Sequence, residues 1–267
     1  MPGAVYVVGR QQFSKYKHQL VDLVNAGTIR LILSNPHEGS DTLRRHVNMW
    51  GVTELVKSKK ILLIGGGDMD SQWPYLLYDS FLPKLGDYDE NIAAANRCSE
   101  IYSKTDKPYK FLFLNGRYRP FRKQLIDHLT PVLEQSIWSN LDSSNGPVKL
   151  LDPKYEFDFY ANRVNTTGDQ GYIKTDLFNG DWGEVYLKAE PYIDTYFSVI
   201  SETVFDYPYS FRTQKTWKPV VMGHPMIVHA SQYFYREFQN LGFRTWGHLI
   251  DESFDTIEDN HARSLRI

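Results

Sequence analysis

The sequence predicts an α/β fold with two lobes, and three observations lead to this prediction. Short apolar runs alternate with stretches whose apolar residues recur at helical spacing, which is typical of parallel strands joined by helices. This alternation occurs twice along 267 residues, a length that suits one large or two small domains. The polar, proline-containing segment SKTDKPY at 103–109 separates the two series and is interpreted as a linker.

The first series predicts an amino-terminal lobe over residues 1–105. Its strands are predicted in three apolar runs, AVYVVG, TIRLILSN and ILLIGGG. Helices are predicted after the first two runs, one stopped by Gly27 and one broken at Gly51, because glycine readily adopts the left-handed backbone at helix ends. Two further helices are predicted around Trp73–Leu82 and Glu90–Ser103.

The second series predicts a carboxyl-terminal lobe over residues 106–250, followed by a terminal helix at 251–267. Its strands are predicted in KFLFLNG, SIWSNL, YFSVISET and PMIVH, and its helices in RPFRKQLIDHL, in the stretch after Phe211 and in SQYFYREFQNLG. Residues 142–185 are rich in Gly, Asn and Asp and fit neither pattern. Together the two series indicate two Rossmann-like, doubly wound lobes facing a cleft.

The composition narrows the class of protein. A hydrophobic content of 42% and a charged content of 23% are ordinary for a globular chain. The net charge of −2 excludes a broad basic surface for nucleic acid. Cys98 is the only cysteine, so no internal disulfide can form, which fits a reducing compartment. No long apolar segment or signal peptide is apparent, so we expect a cytoplasmic protein without a membrane span.

The stretch NGRYRPFR carries the first candidate site. In doubly wound sheets ligands bind at the carboxyl ends of strands, and this stretch follows such an end. Arg117, Arg119 and Arg122 fall at the predicted turn from strand to helix. Guanidinium groups suit phosphate oxygens, and a helix N-terminus adds to that preference. Three arginines in six residues favour a phosphate site over a solvated helix start.

Two later stretches add candidate residues. SVISET leaves Glu202 at a strand end, where a carboxylate can accept hydrogen bonds from sugar hydroxyls. In FRTQKTWKPVVMGHPMIV, Thr213 is the predicted helix cap, Gln214 a ribose ligand and Lys215 a diphosphate ligand. His224 falls at the turn before the next strand and is a candidate donor contact. Helix capping and packing alone are the alternative for this stretch.

These three stretches resemble the donor-binding half of two-Rossmann (GT-B-type) glycosyltransferases, most closely the α-1,3-fucosyltransferase-like group. That group has an arginine-containing turn after a strand, a strand ending in Glu, and a TEK step before a G-x-P strand entry. The resemblance implies a phosphate-binding arginine at Arg117 or Arg122, a sugar-contacting glutamate at Glu202, and the TEK step at Thr213–Lys215. Gln214 replaces the glutamate of that step. Because it is uncharged, the resemblance does not indicate which nucleotide is bound.

The resemblance covers roughly residues 110–260 and implies an enzyme. Such an enzyme moves a sugar from a nucleotide sugar to a hydroxyl acceptor, either a glycan or a modified nucleobase, so nucleic acid would enter only as acceptor. It needs no cofactor and no obligatory metal, because cationic side chains stabilise the leaving diphosphate. Its terminal helix would cross back to the first lobe. GHPMIV and LGFRTWGHLIDESFD also look like short glycosyltransferase-like proteins of phages and environmental bacteria.

GGGDMD is a competing signal, because Asp68 and Asp70 form a D-x-D pair. Metal-dependent, single-Rossmann (GT-A-type) transferases hold a divalent cation and the donor diphosphate with such a pair. Three glycines separate this pair from its strand, which favours a close-approach turn with Asp68 or Asp70 as the base for the acceptor. A GT-A-type enzyme remains one alternative. A non-catalytic sugar- or nucleotide-binding viral structural or assembly protein is the other.

Overall fold

The structure is a computed structural model of the chain. The residues it describes are 4–67, 73–104, 106–155, 186–206 and 209–267.

The chain divides into two compact units. Unit 1 comprises Met1–Ser80 and Tyr207–Arg212, and unit 2 comprises Phe81–Asp206 and Thr213–Ile267. The predicted division near residue 106 was therefore wrong, because the two helices that precede it belong to unit 2. Asn91 shows the reason: its side chain donates to the Leu85 carbonyl and accepts from the Leu187 N–H, which ties these helices to unit 2.

Unit 1 contains a parallel sheet with the strand order β1-β2-β3-β4. Its elements are β1 (Ala4–Gly9), α1 (Arg10–Asn25), β2 (Ile29–Gly39), α2 (Ser40–Trp50), α3 (Thr53–Lys57), β3 (Ile61–Gly66) and β4 (Tyr75–Leu77). The first three strands and their helices agree with the sequence prediction. The helix predicted around Trp73–Leu82 was wrong, because Tyr75 pairs in register with Leu63 and extends the sheet instead.

The core of unit 1 lies on one face of its sheet. Leu31, Leu33, Ile61 and Leu63 are buried in one cluster with side chains of α1, α2 and α3. The strand order explains this, because each crossover moves in the same direction and right-handed crossovers then place their helices on the same face. Within its described residues unit 1 is therefore not doubly wound, contrary to the prediction.

Unit 2 contains a second parallel sheet, with the order β6-β5-β7-β8. Its elements are α4 (Phe81–Gly86), α5 (Asp89–Ile101), β5 (Tyr109–Asn115), α6 (Pro120–Leu129), β6 (Ser136–Asn140), α7 (Glu190–Ile193), β7 (Thr195–Ser201), α8 (Gln214–Val221), β8 (Met226–His229), α9 (Phe234–Asn240) and α10 (Asn260–Arg266).

Both faces of the unit 2 sheet are covered, as the doubly wound prediction requires. Phe111 and Phe113 of β5 pack with Leu125 of α6, while Leu112 between them packs in a separate cluster with Trp217 of α8. β6, the next strand along the chain, lies on one side of β5, and β7 lies on the other side. The strand order therefore reverses between β5 and β7, which is the place where open α/β sheets bind ligands.

The terminal helix α10 belongs to unit 2. It packs against α6, its Ser264 hydroxyl lies 2.9 Å from the Nε2 atom of His229, and its Arg263 guanidinium donates to the Ala230 carbonyl. The expectation that this helix crosses back to the first lobe is not supported by these contacts. Among the described residues, no helix combines the length and apolarity needed to cross a bilayer.

Candidate functional site

A polar side chain ends every strand of the unit 2 sheet. Asn140 ends β6, Asn115 ends β5, Ser201 ends β7 and His229 ends β8, and all four are buried. Because the strands are parallel, these four residues lie at one edge of the sheet, which we call the polar edge. The polar edge includes the reversal of strand order between β5 and β7 and is therefore the candidate ligand site of unit 2.

Several buried groups at the polar edge lack hydrogen-bond partners among the described residues. These are both amide atoms of Asn115, the Ser201 and Ser231 hydroxyls, and the Nδ1 atom of His229. A buried polar group without a hydrogen-bond partner costs about 1–3 kcal/mol of folding free energy. In proteins such a group is therefore usually bonded by water or by a ligand. Four such residues near one sheet edge mark a place for a polar ligand.

Arg122 connects the two loops that flank the reversal. Its guanidinium is buried and donates to the Arg117 carbonyl at 2.7 Å and to the Glu202 carbonyl at 3.3 Å. The first carbonyl lies after β5 and the second lies after β7. Arg122 therefore holds the loops together and places a positive charge behind the polar edge, rather than projecting into solvent.

The start of α6 is the most positive helix terminus at this edge. Arg119 is the N-cap position but provides no side-chain cap, and the first turn holds no acidic residue. Its guanidinium lies on the loop and donates to the Tyr118 carbonyl at 2.9 Å, while Arg117 is exposed. A helix N-terminus of this kind attracts anions, and the two arginines add to that field.

Asp142, after β6, fixes the loop that carries these arginines. Its carboxylate accepts hydrogen bonds from the Tyr118 N–H at 2.8 Å and from the Ser144 N–H at 3.0 Å. Burial opposes its ionisation, but these hydrogen bonds and the charge of Arg117 prevail and lower the pKa of the Asp142 carboxyl. The loop is therefore held by an ionised group at neutral pH.

Glu202 lies beneath the site rather than at its surface. Its side chain is fully buried, and the carboxylate accepts from the Thr213 N–H at 2.9 Å, the Thr216 hydroxyl at 2.6 Å and the Thr203 N–H at 2.8 Å. The Thr213 hydroxyl also donates to it, at 2.8 Å. Glu202 thus occupies the anion position at the start of α8 that the sequence analysis assigned to a donor phosphate.

The start of α8 is otherwise as the sequence predicts. Thr213 is the N-cap, and its hydroxyl oxygen accepts from the Lys215 N–H. The Lys215 ammonium donates to the Thr203 hydroxyl at 2.8 Å and to the Thr213 hydroxyl at 3.2 Å, so it joins the end of β7 to the cap. Gln214 is the half-buried first residue of the helix. Glu202, Thr213 and Lys215 therefore form one cluster beside Arg122.

His224 does not belong to this cluster. Its Nδ1 atom lies 2.9 Å from the Ser198 hydroxyl, and its Nε2 atom lies 3.0 Å from the carbonyl of Thr195. Thr195 begins β7, whereas Glu202 follows the end of that seven-residue strand, a separation of about 20 Å. The prediction that His224 contacts the donor was wrong, because α8 carries the chain back to the amino edge of the sheet.

His224 is a structural residue of that amino edge. Tyr102 and Tyr192 contact its ring edge-to-face. Burial, helped by the charge of Lys107 and opposed by a hydrogen bond to Thr195, lowers the pKa of His224 to about 4. Its imidazole is therefore neutral at physiological pH.

The carboxyl edge of the unit 1 sheet is filled by the chain itself. Gly67 has φ +80°, and a Cβ atom there would lie 2.6 Å from the Ser210 carbonyl oxygen. The Phe211 ring lies in ordinary contact distance of Gly39, and the buried Arg212 pairs with Asp79 at 3.1 Å. Gly67 therefore lies at a close approach to the backbone of Ser210, while the rest of the turn predicted in GGGDMD lies outside the described residues.

Asp68 and Asp70 lie outside the described residues, so their predicted role as base remains a prediction. Among the residues that are described, no group of three or more His, Cys, Asp or Glu side chains is placed to hold a metal ion. Comparisons with protein families, curated proteins and solved structures found no match to this chain.

The predicted site residues include the charged groups, Thr213 and Gln214, but not the polar residues at and just beyond the strand ends. Asn115, Ser201, His229 and Ser231 were not singled out, although a signal was present. Each apolar run of the carboxyl-terminal lobe ends in Asn, Ser or His. These side chains are short or weakly charged and can be buried at a strand end. A polar residue at the end of every strand is a pattern that alternation alone does not require.

Proposed function

We propose that the chain is a nucleotide-sugar-dependent glycosyltransferase of the GT-B type, in which unit 2 binds the donor at the polar edge. The observation that carries the proposal is the reversal of strand order between β5 and β7, where buried polar groups without a partner among the described residues adjoin the positive start of α6. The site thus offers charge for a diphosphate and neutral hydrogen-bonding groups for the remainder of the donor.

The donor diphosphate binds at the start of α6 in this proposal. Arg117 and Arg119 contact its oxygens, and the buried Arg122 adds positive charge from behind. The amide of Asn115 and the hydroxyl of Ser201 then serve the sugar or the nucleoside. The start of α8 is the less suitable phosphate position, because the Glu202 carboxylate already accepts the N–H and the hydroxyl of its N-cap residue, Thr213.

Glu202, Thr213 and Lys215 have positioning roles in this proposal. Glu202 and Thr213 hold the segment between β7 and α8, and Lys215 ties that segment to Thr203. Gln214 is the residue of this segment that we assign to a ribose hydroxyl. Its side chain follows the cap directly and is only half-buried.

The transfer breaks the bond between the anomeric carbon and the diphosphate oxygen and forms a bond to the acceptor hydroxyl oxygen. Negative charge grows on the leaving diphosphate in the transition state, where fixed cations stabilise it more than they stabilise the ground state. The acceptor proton passes to a carboxylate, for which Asp68 or Asp70 is the proposed base. Because arginines neutralise the diphosphate, we expect donor binding to survive EDTA.

Isothermal titration with nucleoside diphosphates and nucleotide sugars tests the binding step, with release of nucleoside diphosphate as the assay of turnover. We expect one nucleotide to bind in EDTA and the double variant Arg117→Ala/Arg119→Ala to weaken it at least tenfold, since charge-assisted hydrogen bonds contribute about 1.5–3 kcal/mol. Arg236→Ala is the matched control, because this exposed arginine lies on α9.

The outcomes separate the alternatives. Metal-dependent binding that is lost in Asp68→Ala or Asp70→Ala would support the GT-A-type enzyme. Binding without turnover towards any acceptor would support a non-catalytic sugar- or nucleotide-binding protein. Failure of every nucleotide to bind would contradict the proposal.

A further inference from the structure

One face of the unit 1 sheet is largely apolar, and several of its side chains are exposed among the residues that the structure describes. Val7, Ile32 and Leu62 are in register across three strands and therefore lie on the same face, opposite the helix-covered core. Ile64 and Leu76 continue this face onto β4. We call it the bare face; its apolar residues are Val5, Val7, Ile32, Leu62, Ile64 and Leu76, and Gly9 and Ser34 lie on it beside Ile64.

The bare face is exposed to a degree that is unusual for a parallel sheet. Val5, Val7, Leu62 and Leu76 are 59%, 61%, 43% and 61% exposed. Parallel sheets are almost always covered on both faces, and contiguous exposed apolar residues mark interaction surfaces. Among the described residues, unit 1 therefore presents an exposed apolar surface that a partner could cover.

The amino end of the bare face is positively charged. Arg30 is in register with Val5, and Lys60 precedes β3 at the position that continues the alternation to Leu62. Both are exposed, and neither forms an ion pair with a described residue. No acidic residue occurs in segments 4–9, 29–34, 60–64 or 75–77. A partner with negative charge at this end is therefore favoured.

The dimensions of the bare face fit one helix better than a second copy of the chain. Six-residue strands are about 20 Å long, and four strands at about 4.8 Å spacing are less than 20 Å wide. A helix of about 12 residues is about 18 Å long and matches the strands. The face amounts to less than about 400 Å², whereas a stable dimer needs about 800 Å² from each copy.

We propose that the bare face binds an amphipathic helix of a partner protein, with acidic residues in its last turn beside Arg30 and Lys60. Helices that cover parallel strands run antiparallel to them, which puts the carboxyl end of the helix over the amino ends of the strands. The negative end of the helix dipole then meets the same two cations. This function is separate from the proposed donor site, which lies in unit 2.

Synthetic peptides of about 14 residues, enough for four helical turns, serve as the probe. The test peptide carries leucines on one helical face and glutamates in the last turn. One comparison peptide replaces these glutamates with lysines, and another has the same composition in an order without an apolar face. Fluorescence anisotropy with the full chain measures each dissociation constant. We expect the glutamate peptide to bind most tightly and the reordered peptide not to bind.

Two variants locate the binding surface. Leu62→Ser/Leu76→Ser should weaken binding of the glutamate peptide at least tenfold. Met49→Ser is the control, because Met49 lies on α2 and is 70% exposed, and it should leave this binding unchanged. Arg30→Glu/Lys60→Glu should reverse the preference in favour of the lysine peptide. All of these positions are exposed or on the bare face, so circular dichroism should show an unchanged fold.

Other results would overturn the proposal. Absence of binding by every peptide, or equal binding of the reordered peptide, would do so. Light scattering that shows a dimer, dispersed by Leu62→Ser, would identify a second copy as the occupant. Sedimentation of the chain with anionic phospholipid vesicles, lost in Leu62→Ser, would identify a membrane surface instead.

Discussion

The two sheets are both four-stranded and parallel, but their carboxyl edges differ. In unit 1 glycines lie along the edge: a Cβ atom at Gly65 would lie 2.9 Å from the Tyr75 hydroxyl, and one at Gly67 would lie 2.6 Å from the Ser210 carbonyl oxygen. In unit 2 each strand ends in a buried polar side chain, and Asn115, Ser201 and one ring nitrogen of His229 have no partner among the described residues. One edge is closed by the chain, and the other retains groups for a ligand.

The difference follows from the strand order. In unit 1 the order is sequential and the helices lie on one face, so the loops after the strands do not diverge. In unit 2 the order reverses between β5 and β7, and the following loops separate onto opposite faces. Similar alternation of strands and helices in the sequence therefore produced two topologies, and in the part of the chain that the structure describes the reversal typical of a ligand crevice occurs in unit 2.

The largest effect is expected for Gly67→Ala in unit 1. The positive φ costs about 1–2 kcal/mol for a residue with a Cβ, and forcing that atom against the Ser210 carbonyl adds about 1–3 kcal/mol. Urea unfolding should show the combined loss of about 2–5 kcal/mol. Gly27→Ala is the matched control, because Gly27 has φ +70° with open space around it, and it should lose only the backbone contribution. Equal losses for the two variants would show that the edge is not closed by residues 210–211.

Acidification should destabilise unit 2 through His224. Because the folded pKa is about 4 and lies below the ordinary value of 6.5, the unfolded chain binds the proton first as the pH falls. Stability is therefore fully present above pH 6.5 and declines towards pH 4, by about 3 kcal/mol for this group. Urea unfolding at pH 7 and pH 4.5 measures the change. His224→Gln should be less stable at pH 7 but less sensitive to pH, and an unaltered pH dependence would contradict the assignment.

Glu202→Gln should lower the free energy of unfolding by about 2 kcal/mol, because charge-assisted hydrogen bonds are lost. The new amide NH₂ would also face groups that themselves donate hydrogen bonds. Thermal unfolding should show the loss, whereas Glu134→Gln, at an exposed position, should be neutral. A sugar-contacting Glu202 would behave differently: the variant would keep its stability and lose only donor affinity. That result would show that Glu202 contacts the donor sugar.

The smallest effect is expected for Lys215→Ala. Its ammonium donates to Thr203 and Thr213, so its loss should cost about 1 kcal/mol of stability. A double-mutant cycle with Thr203→Val should return a coupling of similar size. A variant that melts like the wild type and binds nucleotide at least tenfold more weakly would show that Lys215 serves the donor phosphate instead.

The sequence predicted most strands and helices because their apolar periodicity is strong and Gly27, Gly51 and Gly242 mark stops. It placed the domain boundary wrongly, because α4 and α5 are amphipathic and nothing local shows which sheet they cover. His224 was misplaced for a related reason. It is close to Lys215 in sequence, but α8 lies between them and carries His224 to the other edge of the sheet. The burial of Glu202 could not be predicted either, since it depends on Thr213 and Thr216 closing over its carboxylate.

Hydrogen exchange with mass spectrometry in the presence of each nucleoside diphosphate tests the central claim most directly, because it compares both sheet edges in one experiment. We expect one nucleotide to protect the segments that follow β5 and β7, residues 115–122 and 201–206, while the unit 1 segments 39–43 and 64–67 are unchanged. Protection confined to the unit 1 edge would contradict the account, and so would the absence of protection with every nucleoside diphosphate.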